Sequence, residues 1–182
     1  MKSLQRLLSG ALALAIGTLS IAVPASAVTL ADGTVYFNHV PDMTINGAYG
    51  RTTNAPSVYT FTLSVPANAD VGVGRVDIDL GEFGSEYTID AKKAYVYQVG
   101  GDGRRIALRD GAAAASTGPR PTMVSVVLAE PILPGQSAQV QLLVYNTPRI
   151  GGAHLLGVTA YPVGEIAHGQ FLGFDRVHVW DN

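Results

Sequence analysis

Hydrophobic and polar positions alternate along most of the chain after residue 28. From Ser57 to Val65 the order is nearly unbroken: Tyr59, Phe61, Leu63 and Val65 fall on one side, Thr60, Thr62 and Ser64 on the other. A period of two predicts a strand with one face on a core and one in water, and Pro66 stops it. Val73 to Leu80 repeats the pattern, with Val76, Ile78 and Leu80 inward and Arg75, Asp77 and Asp79 outward. Ala94 to Val99 is a β-branched and aromatic run. The run Gly100-Gly101-Asp102-Gly103 then reads as a hairpin turn into Arg104–Arg109.

Further strands are predicted at Met123–Leu128, Ala138–Tyr145, Leu155–Tyr161 and Arg176–Trp180, with a turn at Pro131–Gln136. In Ala138–Tyr145, Val140, Leu142 and Val144 share one face. Residues 111–122, an alanine run followed by Gly118 and Pro119, read as a loop. Residues 161–175 read as an ordered turn or one helical turn that packs Phe171 and Leu172 inward. Strands spaced by roughly 8–15 residues with turn signals between them imply an all-β protein. The predicted architecture is an antiparallel, immunoglobulin-like β-sandwich, with a small closed β-barrel as the alternative.

The first 27 residues follow a different rule. Lys2 and Arg6 precede a short apolar run from Leu7 to Gly17, and Ala25-Ser26-Ala27 supplies small residues on either side of Ser26. This is the layout of a secretory signal peptide cut after Ala27. The uncharged stretch from Leu7 to Val23 is diluted by Gly and Ser and is marginal for a membrane span, and nothing after residue 28 is apolar for long enough. The reading is a signal at residues 1–27, one domain over residues 28–182, no membrane span after processing, and a periplasmic or extracellular location.

Composition narrows the function. After residue 27 the chain keeps all 14 acidic residues against ten basic ones, which excludes the basic face that nucleic-acid binding needs. Cysteine is absent, so there is no disulfide framework, thiol nucleophile or cysteine-based zinc site. Stability must come from burial and strand pairing.

Candidate chemistry is sparse. Asp77 and Asp79 point to the same face of a strand, but Arg75 accompanies them and a solvated surface explains all three. Asp102 lies in a Gly-rich turn without the regular acidic spacing of a calcium loop. His39, His154, His168 and His178 form no HxxH or HExxH motif, and no GxSxG elbow occurs. No catalytic residue, metal ligand or cofactor fingerprint is assigned. The candidate structural or ligand-binding segment comprises Arg149, Glu165, His168, Gly169, Phe171, Arg176, His178 and Trp180. Its arginines offer planar donor forks for loop carbonyls or for Glu165, and its glycines suit tight turns. The chain reads as a non-catalytic binding or structural module of the cell envelope, its partner an envelope protein or glycan. The alternative is a periplasmic enzyme or metal-binding protein using His168 and His178 with nearby acids.

Pro148-Arg149-x-Gly151-Gly152, Leu156-Gly157-Val158-Thr159-Ala160-Tyr161-Pro162-x-Gly164-Glu165, Ala167-His168-Gly169-Gln170-Phe171-Leu172-Gly173 and Arg176 together form a long C-terminal signature. With Tyr36-Phe37, Leu63-x-Val65-Pro66 and Pro131-Ile132-x-Pro134-Gly135 upstream, the chain resembles, over about residues 34–180, the exported cyanobacterial family called domain of unknown function 2808. The resemblance implies a small, secreted, single-domain protein of cyanobacterial source. It brings no established activity, cofactor or catalytic residue.

Processing after Ala27 is the first expected outcome. Mass spectrometry of the exported protein should find Val28 at the N-terminus, and an intact Met1 peptide in the membrane fraction would contradict it.

Overall fold

The computed structural model describes residues 28–49, 52–100, 104–115 and 122–181. The signal-peptide assignment, with Ala25 and Ala27, lies outside them. Among the described residues the strands are β1 (Val28–Thr29), β2 (Thr34–Tyr36), β3 (Asp42–Tyr49), β4 (Ser57–Ser64), β5 (Val73–Asp79), β6 (Thr88–Val99) and β7 (Arg105–Ile106), followed by β8 (Leu108–Ala115), β9 (Met123–Ile132), β10 (Ser137–Asn146), β11 (Gly152–Pro162), β12 (Ile166–Ala167) and β13 (Gln170–Val179). One short 3-10 turn, Gly84–Glu86, precedes β6.

Two five-stranded sheets form the body, in the orders β3-β4-β10-β6-β7 and β13-β11-β5-β9-β8. All their pairings are antiparallel. The architecture is an immunoglobulin-like β-sandwich. A small third sheet, β1-β2-β12, contains the parallel pair β2–β12 and joins the chain start to the segment before β13. At its β1–β2 turn the Asp32 carboxylate accepts the Thr34 N–H at 2.9 Å, which holds its pKa below the ordinary value.

The alternating side chains of the two sheets meet in one core. Tyr59, Phe61 and Leu63 of β4 and Val140, Leu142 and Val144 of β10 come from one sheet, and Val76 and Ile78 of β5 and Leu156, Val158 and Ala160 of β11 from the other; all are buried. The predicted inward set is thus found inward. β4 and β10 pair without a slip from Ser64↔Ser137 to Ser57↔Val144, so every inward residue of one lies beside an inward residue of the other. A one-residue slip would send that whole set to the opposite face.

Three expectations change. Thr60 is 9 % exposed instead of facing water, because β4 is an interior strand flanked by β3 and β10. The alanine run is strand β8, paired to β9 through Ala113↔Val126, Ala114↔Ser125 and Ala115↔Val124; residues 116–121 of the predicted loop lie outside the described residues. β9 runs on to Ile132, so the turn is confined to 133–136, where Gly135 takes a φ of 80°.

Replacing Phe61 by Ala should cost about 3–5 kcal/mol in denaturant unfolding, because it removes transfer energy and leaves a cavity. Thr60→Ala should cost on the order of 1 kcal/mol. Equal losses at the two positions would contradict this assignment of faces.

Candidate functional site

The outer face of the β13-β11-β5 half-sheet carries the most unusual surface. Leu155 is 51 % exposed, Phe171 54 % and Phe174 60 %, and cross-strand register brings them together: Leu155↔Arg176, Gly157↔Phe174 and Thr159↔Phe171. The two phenyl rings contact edge to face, with centroids 5.0 Å apart. Just past the end of β13, the exposed Trp180 packs on His178 at 4.2 Å.

Residues three apart on a regular strand face opposite ways. Phe171 and Phe174 share a face because β13 bulges between them: Val158 pairs with Gly173, the next residue Thr159 pairs with Phe171, and Leu172 is the extra residue. Gly173 has a φ of 137°, accessible to glycine at little cost. Leu172 packs against the core while Phe171 points outward, which corrects the expectation that both pack inward in a turn.

Arg75, Asp77 and Asp79 continue this face on β5, but they are not equally solvated. Asp79 is exposed and accepts the Gly81 N–H at 3.0 Å. Asp77 is buried, 3.3 Å from the Arg75 Nε. The Arg75 guanidinium sits 3.5 Å from the centroid of the Tyr161 ring. The same ring lies against Gly169, where an added Cβ would fall 2.5 Å from a ring carbon. The Gly169 φ is outside the left-handed region, so close approach is what requires this glycine, not backbone strain.

The rest of the candidate segment is dispersed. His168 donates its backbone N–H to the Val35 carbonyl at 3.0 Å and stacks its ring on Tyr36, tying the β12 end of the segment to β2. The Arg149 backbone N–H bonds the Glu86 carboxylate, but neither the Arg149 nor the Arg176 guanidinium pairs with Glu165 among the described residues. Glu165 is exposed on the turn between β11 and β12. His168 precedes β13 and His178 lies near its end; the strand from Gln170 to His178 alone spans roughly 26 Å at the usual rise, too far for the two to act on one reacting group. Among the described residues no three His, Asp or Glu side chains are grouped to hold a metal ion.

One histidine without a place in the predicted segment is buried in the core. His154 of β11 is 3 % exposed. Its ring meets Phe83 edge-on at 4.8 Å and Tyr87 at 6.4 Å, and Tyr87 in turn meets Tyr59 at 5.9 Å. Burial pushes the Tyr87 phenol above its ordinary range, and neighbouring Tyr59 and Asp175 push it the same way. Asp175 is buried opposite Leu156, with its side chain on the core side of β13. Sequence reading missed this cluster because its members come from four separate strands and loops.

The family model described as Protein of unknown function (DUF2808) matches residues 34–179, from β2 to the end of β13. The chain belongs to this family. No curated protein matches it. Solved structures of similar outline include a bacterial hydrophobin, BslA, at 18% identity over 79% of this chain and 96% of that one, TM-score 0.48. A backbone pilin of Streptococcus pyogenes aligns at 12% identity over 78% of this chain and 36% of that one, TM-score 0.49. The collagen-binding domain of a Staphylococcus aureus adhesin aligns at 8% identity over 76% of this chain and 95% of that one, TM-score 0.42.

Gly169→Ala should destabilise the fold by roughly 1–3 kcal/mol, because the new methyl displaces the Tyr161 ring from beneath Arg75. In a Tyr161→Ala background the same change should cost little. A double-mutant cycle from thermal melts measures this coupling, and additive losses would show that Gly169 is required for another reason.

Proposed function

We propose that this DUF2808 protein is an exported, non-catalytic binding module of the cell envelope, with its working surface on the outer face of β11 and β13. The observation that carries this reading is the bulge-built cluster of Leu155, Phe171 and Phe174, three large apolar side chains more than half exposed on one face. A contiguous apolar surface edged by Arg176 and Asp79 costs solubility and is kept where something binds it. Aromatic and arginine side chains are the usual anchors of such contacts.

The reading has the mature chain act as one domain over residues 28–182, in the periplasm or outside the cell, once the N-terminal signal is removed. Among the described residues no helix is long and apolar enough to cross a membrane. The partner is an envelope component. The Leu155, Phe171 and Phe174 cluster beside Arg176 suits a protein surface. A glycan is the second reading and rests on exposed Trp180, whose ring can stack on a sugar. The alternative of chemistry shared between His168 and His178 is disfavoured by their positions near opposite ends of β13.

Tagged residues 28–182 should recover a partner from native envelope extract, and Phe171→Ser with Phe174→Ser should lose it without lowering the melting temperature. Identical recovery by both proteins would show that this face is not the site. Trp180→Ala, assayed on isolated envelope polysaccharide, tests the glycan arm.

A further inference from the structure

A groove of about 1010 Å³ runs between β5 and β9 on one side and the segment that leads from β11 into β12 on the other. Arg75 and Val127 belong to its floor, and Val163, Ile166 and Ala167 to its wall. The volume stands at the upper limit for small-molecule sites and leaves room for an extended chain. Ile166 and Ala167 are consecutive strand residues, so their side chains point to opposite faces of the β1-β2-β12 sheet. Both line the groove, which places it along the edge of β12 and not over one face.

β12 is the last strand of that sheet and pairs only with β2. The ladder shows which of its backbone groups are used. Ala167 lies opposite Val35, and the Val35 carbonyl accepts the His168 N–H. In a parallel ladder a residue that bonds in this way takes the two neighbours of its opposite number, so Val35 engages Ile166 and His168 and passes over Ala167. The Ala167 N–H and C=O therefore point away from β2, to the free edge, and neither has a protein partner among the described residues. An edge this short is a weak template by itself, so a side chain must add to it.

Arg75 supplies that second contact. Its Nε faces the Asp77 carboxylate at 3.3 Å and its guanidinium lies on the Tyr161 ring, so the plane is held from two sides. The side chain is 40 % exposed, and its two terminal nitrogens have no protein partner among the described residues. Such a fork matches a carboxylate. The Tyr161 ring abuts Gly169, two residues beyond Ala167, which sets the fork beside the free edge. Exposed Glu165 on the same wall disfavours a run of acidic residues, so the occupant carries a single carboxylate.

We propose that an extended segment of a partner protein adds to β12 as a fourth strand of the small sheet, with Arg75 holding its one acidic side chain. The site goes beyond the docking face. It shares no residue with the Leu155, Phe171 and Phe174 cluster, so the two readings fail separately.

The test uses ¹⁵N-labelled protein, residues 28–182, and short end-capped peptides in which valine alternates with threonine and one glutamate is moved through the positions. The best of them should shift the Ala167 amide resonance saturably and slow its hydrogen exchange. Its glutamine counterpart should bind about tenfold more weakly, the worth of one hydrogen bond to a charged group. Arg75→Gln should bring the two peptides to equal affinity. N-methylation of the peptide should abolish binding at alternate residues only. Ala167→Pro removes the outward N–H and leaves the β2 ladder in place, so it should lose the peptide and keep its melting temperature. Should either variant fail to fold, the Ala167 amide and the glutamate and glutamine peptides on the unaltered protein still decide the matter. Equal binding of those two peptides, or binding with an unmoved Ala167 amide, would overturn the proposal. So would no saturable shift with any of the peptides. Oligogalacturonate bound through Arg75 with the Ala167 amide unmoved would assign the fork to an acidic glycan, and would overturn it as well.

Discussion

Face-to-face burial between the two five-stranded sheets is the constraint on which everything else depends. The chain has no cysteine, so no covalent tie closes any loop. Paired β4 and β10, packed against β5 and β11, contribute the fully buried Phe61, Leu63, Val140, Leu142, Val76, Ile78, Leu156 and Val158. Each fully buried aliphatic or phenyl side chain contributes roughly 1.5–3 kcal/mol relative to exposure. The opposing conformational entropy is of similar total size, so the margin is small. A fold held this way resists insertion in its inner layer and tolerates variation on its outer faces. Unusual outer-face residues are therefore informative.

The bulge in β13 shows how one inserted residue changes a surface without disturbing the core. Beyond it, the inward residues Asp175, Val177 and Val179 keep their alternation. At Leu172 and Gly173 the strand takes up the extra residue, Leu172 turns to the core, and Phe171 joins Phe174 outside. Gly157 on the neighbouring strand leaves room for the rings: an added Cβ would lie 3.4 Å from Phe171 and 3.6 Å from Phe174. The outer face is thus shaped by backbone devices, a bulge and a small residue, and not by side-chain identity alone.

Most of the fold was legible because strand alternation is a local signal. Tyr59, Phe61 and Leu63 declare their face from their own sequence, and pairing merely confirms it. Three features lie outside that logic. Alanine has no preference for strands, so β8 looked like a loop and is a strand only because β9 offers it a ladder. Thr60 alternates as a surface residue yet is covered, since burial on the outer face depends on how many neighbours a strand has. The bulge defeats period-two reading outright, so Phe171 was placed on the wrong side. The residues of the candidate segment divide by position: Gly169 and His168 pack against Tyr161 and Tyr36, while Phe171, Arg176, His178 and Trp180 lie on the outer face.

His154 was noted in the sequence only as one of four histidines without a motif. Its significance arises from contacts far apart in the chain, Phe83 and Tyr87 on one side and the Ile150 carbonyl on the other. A leucine in its place would bring no polar atom of its own but would take from the Ile150 carbonyl the Nε2 hydrogen it accepts. Histidine there carries a desolvation cost that one hydrogen bond through Nε2 offsets only in part. Replacing both partners of a hydrogen bond by apolar groups can be nearly neutral, but replacing the ring alone leaves an acceptor without its donor. The imidazole also does not serve to link the two sheets, since its one hydrogen bond runs to Ile150, four residues back in the same chain segment. What distinguishes the position is that one ring fastens the Ile150 carbonyl through Nε2 while it packs edge-on against Phe83 and Tyr87.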